Sequence, residues 1–180
     1  MTNVPDKISP NKSKRREKVA YLVVHWTGGT FASAVDWCLR DESDVSYHVI
    51  IAPDGEARQI VPWEYAAWAV GWSKSPYPDF PFMSGNHASE SIALAGGPPV
   101  APTQKQRERL VVILAERMVA NGWDHDQVWR IIGHDQTAVF KPGHPQAGQF
   151  GRKPDPQGHG WLPLIPIREA VRTLLRGPTT

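Results

Sequence analysis

Residues 19–26 form an apolar, partly β-branched run that empties into Thr27-Gly28-Gly29. A continuous run of this kind, without polar alternation, marks a strand buried on both faces, so the chain must supply covering layers on either side of a sheet. A second run, residues 128–132, ends at Gly133-His134 and repeats the arrangement that places His25 near the end of the first. Open α/β sheets hold their sites at the carboxyl ends of strands. Both imidazoles therefore fall where chemistry is expected.

Fifteen glycines and seventeen prolines in 180 residues require many turns and allow few long helices. Phe31, Ala34, Trp37 and Cys38 follow helical spacing after Thr30 or Ser33 as caps, which predicts a short helix. Residues 46–52 and 57–61 are β-rich and flank Pro53-Asp54-Gly55, the composition of a hairpin. Residues 62–81 interleave aromatics with prolines without a period and read as loops, and residues 91–95 read as a short strand. Thr103 with Gln106 predicts a capping box, followed by an apolar stripe of Leu110, Ile113, Leu114 and Met118 up to Asn121-Gly122. A last helix is predicted over 166–176, ahead of Gly177. Strands alternate with helices and include one hairpin, which predicts a single α/β domain over residues 19–176 with a central mixed β-sheet flanked by helices. Residues 177–180 remain as a tail.

The lone Cys38 excludes an intramolecular disulfide. No run of 18 apolar residues is present to span a bilayer as a helix, and the basic start lacks the pattern of a signal peptide. Residues 1–18 carry six Lys/Arg against two acids, while the remainder is slightly acidic. This predicts a flexible, solvated basic leader with scope for electrostatic contact with an anionic envelope surface. No aromatics interleave those bases, so nucleic acid is not expected as a partner.

A catalytic zinc needs three protein ligands and one open position, and two imidazoles with a carboxylate are a common hydrolytic set. His25 and His134 are candidates by position, with Asp155 as a third ligand and His144 or His159 as its alternatives. These residues are far apart in sequence, and their spacing alone does not choose among them. By default His48 is a packed strand residue facing away from Tyr47, His87 and His125 are loop residues, and Cys38 is inert packing.

Several motifs occur together and in order: Val23-Val24-His25-Trp26-Thr27-Gly28-Gly29, Ser46-Tyr47-His48-Val49-Ile50, Asp54-Gly55, Ala67-Trp68, Ser91-Ile92, Ile132-Gly133-His134-Asp135 and Arg152-Lys153-Pro154-Asp155-Pro156. With these the chain resembles the zinc-dependent N-acetylmuramoyl-L-alanine amidases, a family that includes AmpD-like enzymes, phage lysozyme-amidases and peptidoglycan recognition proteins. The resemblance covers residues 19–176 and implies one zinc ion held by His25, His134 and Asp155. It also implies that Lys153 steadies the developing oxyanion and that Tyr47 stands beside the reacting water. In such a site zinc lowers the pKa of bound water from about 15.7 to about 7 and polarises the amide carbonyl. Two departures stand out: Ala95 follows Ser91-Ile92-Ala93-Leu94 where AmpD-like members carry a glutamate, and Ala69 replaces the histidine of an AWHAG motif. The first favours the phage-like branch.

The resemblance thus implies hydrolysis of the amide between the lactyl group of N-acetylmuramic acid and L-alanine in peptidoglycan, as in an endolysin. Trp68, Trp72 and His48 are candidate substrate contacts. A recycling amidase for soluble anhydro-muropeptides and a non-catalytic peptidoglycan-binding module are the alternatives. The expected partners are peptidoglycan or muropeptides and the expected state is a monomer. Such an enzyme is made in the cytoplasm without a signal peptide and reaches the wall through a membrane lesion.

Overall fold

The apolar run around Val23 becomes the centre of a sheet, shown by the computed structural model, which describes residues 7–177. In chain order the strands are β1 (Lys12–Lys14), β2 (Tyr21–Trp26), β3 (Val49–Ile51), β4 (Ala57–Gln59), β5 (Tyr65–Ala67), β6 (Ser89–Leu94) and β7 (Ile131–Gly133). The helices are α1 (Phe31–Cys38), α2 (Gly85–Ala88), α3 (Gln104–Ala120) and α4 (Leu164–Arg176). Five strands form the main sheet in the order β4-β3-β6-β2-β7, parallel except for the antiparallel hairpin pair β3–β4. The expected α/β architecture with a central mixed sheet is thus the observed one.

Alternation along β2 divides its side chains between two faces. Leu22 and Val24 enter a core with Leu110, Ile113, Leu114 and Met118 of α3 and Leu164, Ile167 and Val171 of α4. Tyr21 and Val23 face the other way, against Val70 and Ile132, and His25 shares their parity. The α3 stripe is the predicted one and the capping box forms: Thr103 Oγ1 accepts from the Gln106 amide at 3.1 Å, and Gln106 Oε1 accepts from the Thr103 amide at 3.0 Å. Gly122 (φ 73°) follows the helix in the left-handed region that glycine enters without steric cost.

Three local expectations change, the first within residues 62–81, where Tyr65–Ala67 is strand β5 instead of loop because β1 pairs with it. In α1 the buried residues are Val35 and Cys38, whereas Trp37 is 47% exposed and lies under the Arg40 guanidinium. Of the second β-branched run only Ile131–Gly133 is strand. The residues before it form a 3-10 turn, His125–Arg130, because Asp124 caps it by accepting from the Asp126 amide.

The basic leader is the largest correction. Its described part is built into the body: β1 pairs antiparallel with β5, and Ser9 and Asn11 are buried. The Arg15 guanidinium donates to the carbonyls of Ser89 at 3.0 Å and Tyr65 at 2.7 Å, and also to that of His87. Charge counting treats such a residue as solvated, but backbone carbonyls of β5, α2 and β6 claim Arg15. Residues 1–6 and 178–180 of the predicted leader and tail lie outside the described residues.

Candidate metal centre

Register places the two histidines side by side. β2 runs parallel between β6 and β7 with Val24 opposite Gly133, so His25 and His134 leave adjacent strands at the same sheet edge. Their ring centroids are 4.7 Å apart. Asp155 arrives from the irregular segment before α4 and is held by its own carbonyl, which accepts the Asp135 amide at 2.6 Å. One ligand atom from each of His25, His134 and Asp155 lies within 4.8 Å of the others, and all three residues are buried. Among the described residues His144 and His159 do not join this cluster.

Both Nδ1 atoms lie 3.2 Å from the same carboxylate oxygen, Asp155 Oδ2. Donors around a tetrahedral ion with bonds of about 2.0–2.1 Å sit about 3.3–3.4 Å apart, so the spacing fits a shared cation. The hydrogen bonding fits as well. His134 Nε2 lies 3.0 Å from the Val70 carbonyl and must donate to it. A neutral His134 then presents its bare Nδ1 lone pair to a carboxylate lone pair, an arrangement that a cation between them resolves. His25 Nε2 is buried without a partner. Burial, the largest influence, together with the neighbouring His134 lowers the His25 pKa to about 4, which favours the neutral ring a metal requires. For Asp155 burial alone would raise the pKa, but the imidazoles of His134 and His25 set against its carboxylate outweigh it and hold the carboxyl below its ordinary range. The trio can hold a metal ion.

A cleft of about 580 Å³ opens beside the trio, lined by His134, Asp155, Tyr47, Trp68, Arg152 and Lys153 among others. The Tyr47 ring lies 5.1 Å from that of His25, and burial pushes its phenol above the ordinary value. It is therefore a neutral hydrogen-bonding group near pH 7 rather than a base. Lys153 is exposed at the rim.

Two candidate contacts are not where the sequence reading puts them. His48 is fully buried: Nδ1 accepts the Ser91 amide at 2.9 Å, Nε2 donates to the Tyr65 carbonyl at 3.0 Å, and the ring stacks on Trp63. Strand alternation turns it away from the cleft as Tyr47 turns toward it. Trp72 is 58% exposed and does not line the cleft. Trp68 does line the cleft. No carboxylate replaces the missing glutamate at Ala95, and Glu90 is engaged elsewhere, bonded to Arg117 at 2.8 and 2.7 Å.

Arg152 carries a role that its motif did not reveal. Its guanidinium donates to the carbonyls of Val139 (2.7 Å), Val70 (2.9 Å) and Trp72 (3.1 Å), and so fixes the carbonyl that receives His134. Backbone acceptors leave no mark in a sequence.

Known proteins agree with this architecture. The chain is similar to a crystallised AmpD derivative, with 25% identity, a TM-score of 0.65 and coverage of 94% of this chain and 93% of that one. It is also similar in fold to the amidase AmiD from E. coli, solved with an anhydro-N-acetylmuramic acid peptide substrate (19% identity, TM-score 0.64, 86% of this chain and 58% of that one). PlyL is a further likeness in fold (22% identity, TM-score 0.57, 75% and 82%). No curated protein sequence matches. The family model of N-acetylmuramoyl-L-alanine amidase matches residues 15–158, which hold the cleft, the histidine pair and the carboxylate, and the chain belongs to that family.

Proposed function

We propose that this amidase uses one zinc ion, held by His25, His134 and Asp155, and cleaves the lactyl–L-alanine amide of the intact cell wall in the manner of an endolysin. The observation that carries the reading is the convergence of two imidazole nitrogens on one carboxylate oxygen at the floor of an open cleft. When bound there, zinc supplies an acidified water and a polarised amide carbonyl. The residues around it do the rest. Asp155 and the Val70 carbonyl orient the imidazoles. Tyr47 offers a neutral hydroxyl beside the reacting water, and Lys153 places a cation at the rim where the amide oxygen gains charge. With Ala95 just past β6 no carboxylate is in place there as a base, so the proton of the reacting water passes to solvent while the neutral Tyr47 hydroxyl orients that water. The Trp68 indole offers an apolar face to a sugar or peptide.

Digestion of purified sacculi tests this directly. New L-alanine amino groups should appear, vanish with chelator and return with zinc; persistence in chelator would overturn the metal mechanism. A second reading, an enzyme for soluble anhydro-muropeptides, is favoured by the likeness to AmiD and its bound substrate. Comparing turnover of sacculi with that of soluble fragments separates the two. Among the described residues no helix is long and apolar enough to cross a membrane.

A further inference from the structure

Residues 9–13 precede the family match, which begins at residue 15, yet they are tied into two stretches of the cleft wall. Asn11 Nδ2 donates to the Arg40 carbonyl at 2.7 Å and to Ser43 Oγ at 2.8 Å, with the Cys38 carbonyl at 3.4 Å. These acceptors lead directly into Asp44, Val45 and Tyr47 of the wall. The Asn11 carbonyl accepts from Ser46 Oγ at 2.5 Å, and Ser46 Oγ in turn accepts the Trp68 amide at 3.0 Å. Ser13 reaches the other stretch, where its Oγ accepts from the Trp68 indole Nε1 at 2.8 Å. The Trp68 ring, half-buried, is thus held by its backbone and by its one polar atom.

We propose that Asn11 and Ser13 are positioning residues for substrate binding, joining the Asp44–Tyr47 stretch and the Trp68 indole to one N-terminal strap so that the cleft presents a fixed surface to the muramyl peptide. This rests on the amidase reading of the cleft. Neither residue touches the metal ligands, so the strap acts on binding rather than on the reacting atoms. Ser13 is the cleaner probe, because Asn11 is buried among several acceptors and its loss endangers the fold.

The experiment uses the full zinc-loaded chain and a soluble muramyl dipeptide. Ser13→Ala removes one neutral hydrogen bond, and the expected result is a rise in KM of about three- to tenfold with kcat within about twofold. Ser13→Thr, which restores a hydroxyl, should return KM to the parent value. In a Trp68→Phe background, which has no indole N–H, Ser13→Ala should add nothing, a coupling that a merely structural role would not produce. An unchanged KM in Ser13→Ala, an undiminished effect in the Trp68→Phe background, or a fall of activity in step with the folded fraction overturns the proposal. A wild-type chain that cleaves neither the dipeptide nor purified sacculi would count against the amidase reading instead; wherever the dipeptide is not turned over, the same variants are compared by its calorimetric binding, with the same criteria applied to Kd.

Discussion

His134 and Arg152 share one acceptor: the Val70 carbonyl takes Nε2–H of the imidazole at 3.0 Å and a guanidinium N–H at 2.9 Å. The carbonyl sets which nitrogen of His134 faces Asp155, and the guanidinium sets the carbonyl. Groups that orient a ligand in this way typically carry a factor of about 10–100 in metal affinity. Arg152→Ala acts one bond further out, so zinc affinity should fall by about tenfold. Competition with a chromophoric chelator measures it, independently of any effect of Arg152 on substrate. Unchanged affinity would mean that the carbonyl is held well enough by its own backbone.

Space rather than conformation makes Gly133 necessary. Its φ of −87° suits any residue, but a Cβ there would lie 2.0 Å from Asp135 Oδ1 and 2.7 Å from Pro156 Cδ. Both neighbours flank metal ligands. Gly133→Ala should cost about 1–3 kcal/mol of stability, as overpacking does, and should also weaken zinc binding. Thermal unfolding with and without zinc tests both effects. An alanine variant with parental melting would show that the 135–156 contact yields freely.

How much of this was legible follows from what each feature depends on. His25 and His134 could be placed from sequence because both end β-branched runs beside glycine, a purely local pattern. The Thr103–Gln106 box is likewise local. Asp155 needed the family motif, since it approaches from an irregular segment with no periodicity. Asn11 and Arg152 stayed hidden because they bond backbone carbonyls 13 to 82 residues away, which are the same in every sequence, and Ser13 because its partner, the Trp68 indole, lies 55 residues along the chain. His48 shows the reverse case: alternation alone turns it from the cleft, and the structure finds all its polar atoms engaged inside.

Metal binding to the folded chain alone must raise its stability. At free zinc about 100-fold above Kd the gain is about 2.7 kcal/mol, or about 5–10 °C in melting temperature for a domain of this size. Removing one ligand by His134→Ala should abolish the shift, which a thermal melt with chelator and zinc arms detects. A shift that survives in His134→Ala would place the stabilising ion elsewhere.

His48 makes stability depend on pH. Burial, then the Arg15 charge, with Arg117 adding, lowers its pKa to about 3 from an ordinary 6.5. The unfolded chain therefore binds the proton that the folded chain refuses. Stability from this group is full above pH 6.5 and declines toward pH 3, by up to about 1.4 kcal/mol per pH unit. Nitrogen NMR should find the His48 ring neutral and Nε2-protonated in folded protein at about pH 5. A ring that charges there with the fold intact would contradict the burial argument.

Tyr47 and Lys153 should separate by kinetic signature. The Tyr47 phenol is held neutral by burial beside His25, so its contribution is a hydrogen bond and not a negative charge. Tyr47→Phe keeps the ring and removes the hydroxyl; kcat should fall by about 10²-fold or more with KM nearly unchanged. Lys153 stands exposed at the rim, where a cation helps only as the amide oxygen gains charge. Lys153→Ala should therefore lower kcat by about 10²–10³-fold, and Lys153→Arg, which keeps the charge but not its point-like shape, should recover part of that loss. If either variant changed KM alone, that side chain would be a binding contact, and the assignment of the hydrogen bond to the reacting water to Tyr47 or of the oxyanion to Lys153 would fail separately for each.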